Sequence, residues 1–564
     1  MDEIIRKVKL FFEDKVFACI CLFVLCLFAY RNMLQNGFLL DDFRWIVHWN
    51  QIRAELSIPQ LLMMPFPTEI EGMLYVPFRN ILHTMNVGLF GAMPFGHHLF
   101  SLLAHCVATF LVYKISFKLT AQGFVSFLAA LIFTLHPAQT SLVSFASGGV
   151  EILGACFIFL SFLLFQQIQQ PKSDFNRAAY AGSLVFFFLA LGTHQAAVAL
   201  PFLFLWFAVN FLNKEFLQRK GLVLWPFFAV SFLFMGFKFF LLSAFTPMHL
   251  LGNSVVLTFF VMIKALARHI ILFCFPVVLS LNHTLSDGIF SFAPADFDKI
   301  AMLSQSFFDV SVILSSGIVG ALIYVMCALT KKNPLVRFCC GWFLITLIPF
   351  LFAGGGHLFF AQKYGYIASM GGALLIAVGL NKLSCLDLKK GARWGAPCFV
   401  AVVSLLLCFY GVKVMKRNSV MSAEVLLLEA DIKHVSESRL SQIALVEAYI
   451  ENRLFDRAHK QLVQLRKRYV DDPQMYFLAA QIYAKQRKDV LAIRALKESL
   501  QFDPVFGDAH YQLAEIYQKW GEDELAMDYL RQAYYAYSKK GAAGNLEMFV
   551  DAFLSKYQND VVAE

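Results

Sequence analysis

The chain has 564 residues, of which 59% are hydrophobic, 16% aromatic and only 15% charged. Soluble domains carry about 25% charged residues, so this composition excludes a single soluble domain and indicates a polytopic membrane protein. The net charge of +9 is unevenly divided: residues 1–420 hold 30 Lys and Arg against 17 Asp and Glu, and residues 421–564 hold 18 against 22. The basic excess therefore belongs to the membrane part, and no nucleic-acid partner is expected.

Eleven apolar segments are long enough, at about 20 residues each, to cross the hydrocarbon core of a bilayer. They centre on residues 16–33, 97–117, 122–138, 147–166, 178–194, 196–213, 221–243, 308–330, 335–352, 365–383 and 396–413. A twelfth segment, 258–281, carries Lys264, Arg268 and His269 near its middle and is predicted to enter and leave the outer side without crossing. With the N-terminus in the cytoplasm, this topology follows the positive-inside rule in most loops and puts the C-terminal part outside the cytoplasm. If 258–281 crosses, that part moves to the cytoplasmic side.

The first outer loop, residues 34–95, contains two adjacent carboxylates, Asp41 and Asp42, followed by Arg44. A carboxylate is costly in hydrocarbon, so a pair at the membrane surface is expected to face water, a cation or a substrate. The alternative is that the pair only caps a helix over residues 43–49, because Asp is a preferred N-cap residue.

Several outward loops share a polar character, which predicts one outward-facing cavity. Besides the Asp pair, the candidates for its lining are His98, His136, the segment 193–195, Arg268 and the run Gln362-Lys363-Tyr364. The alternative is that each residue is an isolated anchor at the membrane interface.

The C-terminal part repeats with a period of 34 residues. The recurring positions are Tyr449, Tyr483 and Tyr517; Ala458, Ala492 and Ala526; and Leu462, Leu496 and Leu530. This resembles the tetratricopeptide pattern of stacked helix pairs, whose concave surface binds peptides or proteins. We therefore predict an all-α protein, with a transmembrane helical bundle over residues 1–417 and a solenoid of about three repeats over residues 418–564.

Several stretches of the membrane part carry a family resemblance. They are Asn36 to Ile46; Tyr75-Val76-Pro77 with Arg79 close by; Pro94 to His98 followed by His105; Leu135-His136-Pro137; and Glu151-Ile152-Leu153. Together with the repeats, they are similar to the TMTC family of transmembrane tetratricopeptide-repeat O-mannosyltransferases, which belong to the GT-C class. Among the departures from the family pattern, Ser141, Gln195 and Gln362 replace acids and Gly149 replaces an arginine. The Asp pair is kept.

The resemblance implies an inverting glycosyltransferase that moves a sugar from a polyprenyl-phosphate carrier to a protein or other envelope acceptor. An Asp is suited to accept the proton of the attacking hydroxyl, and we assign that role to Asp41. Asp42 then orients Asp41 or binds the acceptor, although the two roles could be reversed. Cations are needed at the phosphate, and Lys264, Arg268 and Lys363 are the candidates. Further candidate substrate-binding residues are Arg44, Arg79, His98, His136, Glu151, Gln362 and Tyr364.

No metal or other cofactor is predicted to be required besides the lipid-linked sugar donor. His98, His105 and His136 are explained as well by polar contacts between helices. Two other functions are open: a catalytically inactive scaffold or lipid-binding protein that presents the repeats, with the lost acids as its signature, and an O-antigen ligase or polymerase. The ligase layout puts its large outer loop late in the membrane domain, unlike the early loop 34–95. The single Asn282-His-Thr284 sequon and the short repeat array favour a bacterial inner membrane over the endoplasmic reticulum.

Overall fold

The computed structural model describes thirteen ranges of the chain. They are residues 11–40, 42–48, 56–64, 66–68, 72–168, 176–212, 221–242, 254–279, 310–329, 333–353, 360–384, 395–433 and 439–539. The chain divides into two compact units, Met1–Ser438 and Arg439–Glu564. The described residues are mostly helical, which confirms the all-α class. They include one small antiparallel hairpin, β1 (Phe66–Thr68) and β2 (Gly72–Leu74).

The helices of the first unit are numbered in chain order. They are α1 (Lys15–Tyr30), α2 (Ile58–Met63), α3 (Pro77–Phe90), α4 (Pro94–Thr120), α5 (Gly123–Leu135), α6 (Thr140–Val143), α7 (Gly148–Phe165), α8 (Arg177–Leu191), α9 (Leu200–Phe211), α10 (Trp225–Leu242), α11 (Val255–Cys274), α12 (Val310–Tyr324), α13 (Pro334–Ala353), α14 (Gly365–Leu383), α15 (Gly395–Val420) and α16 (Glu424–Ile432). Short 3-10 or π-helical turns lie at Arg31–Gln35, Phe43–His48, Pro137–Gln139, Gln195–Ala199, Gly221–Leu224, Val325–Leu329 and Gln362–Tyr364.

Eight helices in the described part are long and apolar enough to cross a membrane. A ninth candidate is the pair formed by α5 and residues 137–143, which is bent by 49°. Two shorter apolar helical segments, 177–191 and 195–211, coincide with two further predicted spans. Each predicted segment therefore coincides with a helix, and the multi-pass character is confirmed. The doubtful segment 258–281 is helical over its first part, in α11.

The centre of the bundle is formed by α4 with α1, α5 and α7 against it. Its interior is packed with aromatic rings, among them Phe133, Phe159 and Phe162, all fully buried. The helices α4 and α7 approach closely at Gly149, where an added Cβ would lie 2.8 Å from the Ser101 hydroxyl. This contact explains one departure from the family pattern, because an arginine side chain at position 149 has no room there.

Helix α15 runs past residue 418, and α16 folds back against its end. Arg417 pairs there with Asp431 at 2.8 Å, and both side chains are buried. The compact units consequently divide at 438/439, later in the chain than the change in composition at residue 418.

Over its described residues, 439–539, the second unit forms three helix pairs. They are α17 (Arg439–Glu451) with α18 (Phe455–Arg468), α19 (Pro473–Lys485) with α20 (Asp489–Phe502), and α21 (Gly507–Lys519) with α22 (Asp523–Lys539). Successive pairs begin 34 residues apart, at 439, 473 and 507. The repeated alanines Ala458, Ala492 and Ala526 are fully buried, where a small side chain lets the paired helices approach.

Candidate functional site

Asp42 is fully buried at the N-terminal end of α7. Its Oδ1 accepts the Ser147 N–H at 2.7 Å, and its Oδ2 accepts the Ala146 N–H at 3.3 Å and the Leu39 N–H at 3.1 Å. Helix N-termini carry unpaired N–H groups and a partial positive charge, so they stabilise a carboxylate. Burial nevertheless raises the pKa of Asp42 to about 6, and the three N–H donors limit the rise. Asp42 therefore caps a distant helix instead of the turn Phe43–His48 that follows it.

The backbone beside the Asp pair is unusual. Leu40 has φ 43°, a left-handed conformation that is costly for a bulky residue such as leucine and that concentrates at functional sites. Asp41 lies outside the described residues. Arg44 is in the turn Phe43–His48, but its side chain lies outside the described part.

A buried ion pair joins α3 to α7. The Arg79 Nη2 lies 3.4 Å from the Glu151 Oε2, and the side chains are 9% and 11% exposed. Glu151 is in the first turn of α7, one turn after the Ser147 N–H that Asp42 accepts. The N-terminal end of α7 thus connects the two predicted acidic positions.

Helix α3 is fixed by the loop that follows α8. The N–H groups of Phe78 and Arg79 both donate to the Gly192 carbonyl, at 2.8 and 3.1 Å. Pro77 begins the helix, a position that suits proline because its missing N–H is not needed there. These contacts hold Arg79 rigidly beside α7.

The Trp45 ring packs against the side chain of Arg79. The Arg79 guanidinium lies over the Trp45 ring at 4.3 Å, and the His83 ring stacks on Trp45 at 4.7 Å. Burial, with the Arg79 charge nearby, lowers the pKa of His83 well below its ordinary value. His83 is consequently a neutral stacking partner.

Lys363 and His194 are also close enough to Glu151 to influence its charge. Both interact electrostatically with its carboxylate. The loop at 193–194 reaches α7 at Gly154, where an added Cβ would lie 3.0 Å from the His194 Cβ. The Glu151 carboxylate therefore pairs with Arg79 and interacts at longer range with Lys363 and His194.

The run Gln362–Tyr364 is a buried 3-10 turn before α14. Tyr364 stacks on Phe350 at 4.2 Å, and His194 meets the same ring edge-on at 5.9 Å. Gln362 donates to the Ala138 carbonyl at 3.2 Å. The structure thus brings together the predicted residues Arg79, Glu151, Lys363, Gln362 and Tyr364.

The predicted histidines bond to backbone carbonyls or stack on rings. The Nε2 atoms of His98 and His136 lie 3.4 Å from the Gly37 carbonyl and 3.0 Å from the Phe273 carbonyl. His136 also stacks on Phe273 at 4.7 Å. Both are fully buried, so their described contacts are those of interhelical packing.

Lys264 and Arg268 lie on α11, 7% and 6% exposed. The ring of the neighbouring His269 packs against Phe360, which is two residues before Gln362, with the ring centroids 4.3 Å apart and the planes tilted by 38°. The α11 cations are therefore held on the helix that borders the Gln362–Tyr364 turn. Within the described ranges, no three His, Cys, Asp or Glu side chains are grouped so that they could hold a metal ion.

Sequence reasoning missed Trp45 and His83. Trp45 is three residues from the Asp pair, and Arg79 and His83 are one turn apart on α3, so both belong to one helix face. That spacing was the available signal. The partner across the fold, Glu151, is 72 residues from Arg79.

A scan against protein-family models matches none of them. Curated proteins do match: Tmtc1 of Drosophila melanogaster, a protein O-mannosyl-transferase, is 27% identical over 143 residues, which are 24% of this chain and 17% of that protein. TMTC3 of Homo sapiens is 25% identical over 151 residues, 26% of this chain and 16% of that protein. This chain is similar in sequence to the TMTC O-mannosyltransferases. The predicted TMTC-like resemblance is confirmed, and the matched segment spans less than a fifth of those relatives' length.

Among solved structures, the oligosaccharyltransferase of Archaeoglobus fulgidus superposes with a TM-score of 0.40 at 13% identity, covering 71% of this chain and 55% of that one. ArnT of Cupriavidus metallidurans, bound to undecaprenyl phosphate, gives a TM-score of 0.36 at 14% identity, covering 88% and 80%. Scores this low do not establish a shared fold.

Proposed function

We propose that this TMTC-like chain is a membrane glycosyltransferase that transfers a sugar from a polyprenyl-phosphate carrier to a hydroxyl of a protein or other envelope acceptor. The observation that carries the proposal is the buried Arg79–Glu151 pair with Lys363 near it. Glu151 is one helical turn after Ser147, whose N–H Asp42 accepts. A cluster of cations at the end of membrane-crossing helices suits a lipid-linked phosphate, whose chains stay in the bilayer.

In the proposed step, the acceptor hydroxyl oxygen attacks the anomeric carbon and passes its proton to Asp41. The bond between the anomeric carbon and the phosphate oxygen breaks, and its electron pair leaves with the polyprenyl phosphate. Attack from the face opposite the leaving group inverts the anomeric centre. A positioned carboxylate base contributes roughly 10²–10⁴-fold to such a rate.

Asp42 has a positioning role in this proposal. Its carboxylate accepts three backbone N–H groups, so it joins Leu39 to the residues that precede α7, on the chain next to Asp41. Because Asp42 is fully buried and bonded to backbone N–H groups, we assign it the positioning role and keep Asp41 as the base.

Arg79 and Lys363 are proposed to bind the donor phosphate. In the absence of donor, the Glu151 carboxylate attracts both cations, and its pairing with Arg79 limits the cost of burying that guanidinium. A phosphate can take over the same cations, and a guanidinium binds it in a bidentate way. Lys264 and Arg268 on α11 are further candidates.

The helix pairs after residue 438 are proposed to hold a protein or peptide acceptor, as stacked repeats commonly do. On the charge distribution we place them outside the cytoplasm, in the periplasm of a bacterial cell.

An inactive scaffold is the second candidate function, and Asp42 favours it. Its enclosure is sufficient to explain why a carboxylate is kept at that position, without any catalysis. The replacement of acids by Ser141, Gln195 and Gln362 points the same way.

Replacing Asp41 by Asn separates the two candidates. The change keeps the size of the side chain but removes the basic oxygen, so transfer from a radiolabelled polyprenyl-phosphate sugar to envelope acceptors should fall by about 10²-fold or more, with donor binding retained. Asp42→Asn is the matched control, because any loss it causes should be accompanied by a lower unfolding temperature. Undiminished transfer by Asp41→Asn contradicts the catalytic role, and a parent protein inactive with every donor favours the scaffold.

Replacing Lys363 by Met tests the phosphate site. Loss of this charge should weaken the binding of polyprenyl phosphate about tenfold, measured by titration of the purified protein. Lys382→Met, at the other end of α14, is the control and should bind like the parent. Arg268→Met shows whether α11 takes part. Equal binding by the parent and the Lys363 variant would place the phosphate elsewhere.

A further inference from the structure

An apolar groove of about 400 Å³ lies between α1 and α4, at the end of these helices far from Asp42. Lys15 is the first residue of α1, whose 16 residues make it roughly 24 Å long at 1.5 Å per residue. Asp42 comes after the other end of this helix. The groove is therefore separate from the candidate functional site. It does not depend on the proposed function.

The walls of the groove are apolar and open. Val16, Ile20 and Phe23 follow one another at helical spacing on α1 and are 69%, 57% and 45% exposed. Phe110 of α4 faces them and is 41% exposed. Such a continuous apolar stripe suits an acyl chain, which fills a groove along a membrane-crossing helix.

Two ammonium groups stand at the mouth of the groove. Lys15 lies with its Nζ over the Phe117 ring at 4.4 Å, and Lys114 with its Nζ over the Phe110 ring at 5.1 Å. Cation–π contacts hold a lysine head group in place, so the two charges are kept beside the groove.

In the described part of the chain, the two carboxylates that directly precede Lys15 accept backbone N–H groups. The Asp14 Oδ1 accepts the N–H groups of Val16 and Phe17 at 2.8 and 3.2 Å, and the Glu13 carboxylate accepts the Gly123 N–H at 3.1 Å. Among the described residues, neither carboxylate forms an ion pair with Lys15 or Lys114. The positive charge at the mouth is thus open to a ligand anion.

We propose that this groove binds an anionic phospholipid, with an acyl chain between α1 and α4 and its phosphodiester between Lys15 and Lys114. Charge complementarity decides the occupant: an apolar groove that ends at two cations fits an amphiphile with an anionic head better than a zwitterionic one. Under the predicted topology, this lipid lies in the cytoplasmic leaflet.

Native mass spectrometry of the full chain in detergent tests the proposal, with dioleoyl phosphatidylglycerol and dioleoyl phosphatidylcholine offered in equal amounts. The parent should retain phosphatidylglycerol preferentially. The double variant Lys15→Gln/Lys114→Gln should bind it about tenfold or more weakly, since each lysine near a membrane surface contributes to attraction of anionic lipid. Lys118→Gln, an exposed lysine of α4 that does not line the groove, is the matched control and should bind like the parent.

Ile20→Trp, which fills the groove and leaves both lysines, provides an independent test. Ile20 is 57% exposed, so the larger ring should not disturb folding, which the thermal unfolding temperature checks. Retention of phosphatidylglycerol should fall. The proposal is overturned if the parent has no preference, if Lys118→Gln lowers binding as much as the double variant, or if Ile20→Trp binds like the parent.

Discussion

Two ion pairs of similar chemistry lie in opposite surroundings in the two units. Arg79 and Glu151 pair at 3.4 Å with side chains 9% and 11% exposed, whereas Lys485 and Glu451 pair at 3.1 Å with side chains 52% and 68% exposed. By distance alone, the Lys485–Glu451 pair would be expected to be the stronger interaction. Burial makes the Arg79–Glu151 contact the more important of the two. Removing a charge from water costs several kcal/mol, and only a well-placed partner offsets that cost.

The difference shows which pair points to function. An exposed ion pair contributes little to the free energy of folding, because both charges stay in water. Its presence in the repeats therefore needs no functional reason. A buried pair is weak evidence for stability, since apolar residues of similar volume often stabilise as well or better. Keeping Arg79, Glu151 and Lys363 together inside a membrane protein is consistent with a role in binding an anionic substrate.

Neutralising Glu151 should have the largest effect on stability. Glu151→Gln keeps the shape of the side chain but leaves Arg79 and Lys363 without a balancing charge, so unfolding should become easier by about 3–5 kcal/mol. Arg79→Met should cost less, because Lys363 continues to balance Glu151. Denaturant titration in detergent measures both changes.

The double variant Arg79→Met/Glu151→Gln supplies the control. If the two side chains interact, its loss should be smaller than the sum of the single losses. Additive losses would mean that the pair is not coupled and that the contrast between the two units is only one of exposure.

Asp42 sharpens the comparison, because it is a buried charge balanced by backbone N–H groups instead of a cation. Burial raises the pKa of Asp42 from its ordinary value of 3.8 to about 6. Protonation of Asp42 therefore stabilises the folded state. Its contribution to the free energy of unfolding is complete below about pH 4 and is lost as pH rises through about 6. Asp42→Asn stays neutral, so its thermal unfolding temperature should vary less between pH 4 and 7 than the parent's. Parallel profiles for parent and variant would contradict the raised pKa.

Much of the fold could be predicted from the sequence. Apolar length located the helices, because a bilayer demands about 20 apolar residues, and the 34-residue period fixed where each helix pair begins. The end of the membrane unit was harder to place, since the Arg417–Asp431 pair ties a polar helix to the first unit and composition alone assigns that helix to the tail.

Less of the candidate site could be predicted. The acidic and basic positions were found from the family resemblance, but their partners were not, because Arg79 meets Glu151 and Asp42 meets Ser147 across 72 and 105 residues. Only packing of α3 and α7 brings these groups together. The burial of Asp42 was missed for the same reason. From sequence, an Asp near a membrane surface is predicted to be exposed, because the helix end that covers it is not known.

The smallest effect is expected at the exposed pair of the repeats. Lys485 and Glu451 are 34 residues apart, so they hold the same place in successive helix pairs, and each side chain is more than half in water. Glu451→Gln should change the free energy of unfolding by at most about 1 kcal/mol, and added salt should reduce even that difference. Thermal unfolding of parent and variant at low and high salt measures it. A loss as large as that of Glu151→Gln would show that exposure does not explain why the two pairs differ, and would point to a structural role for this pair in joining the repeats.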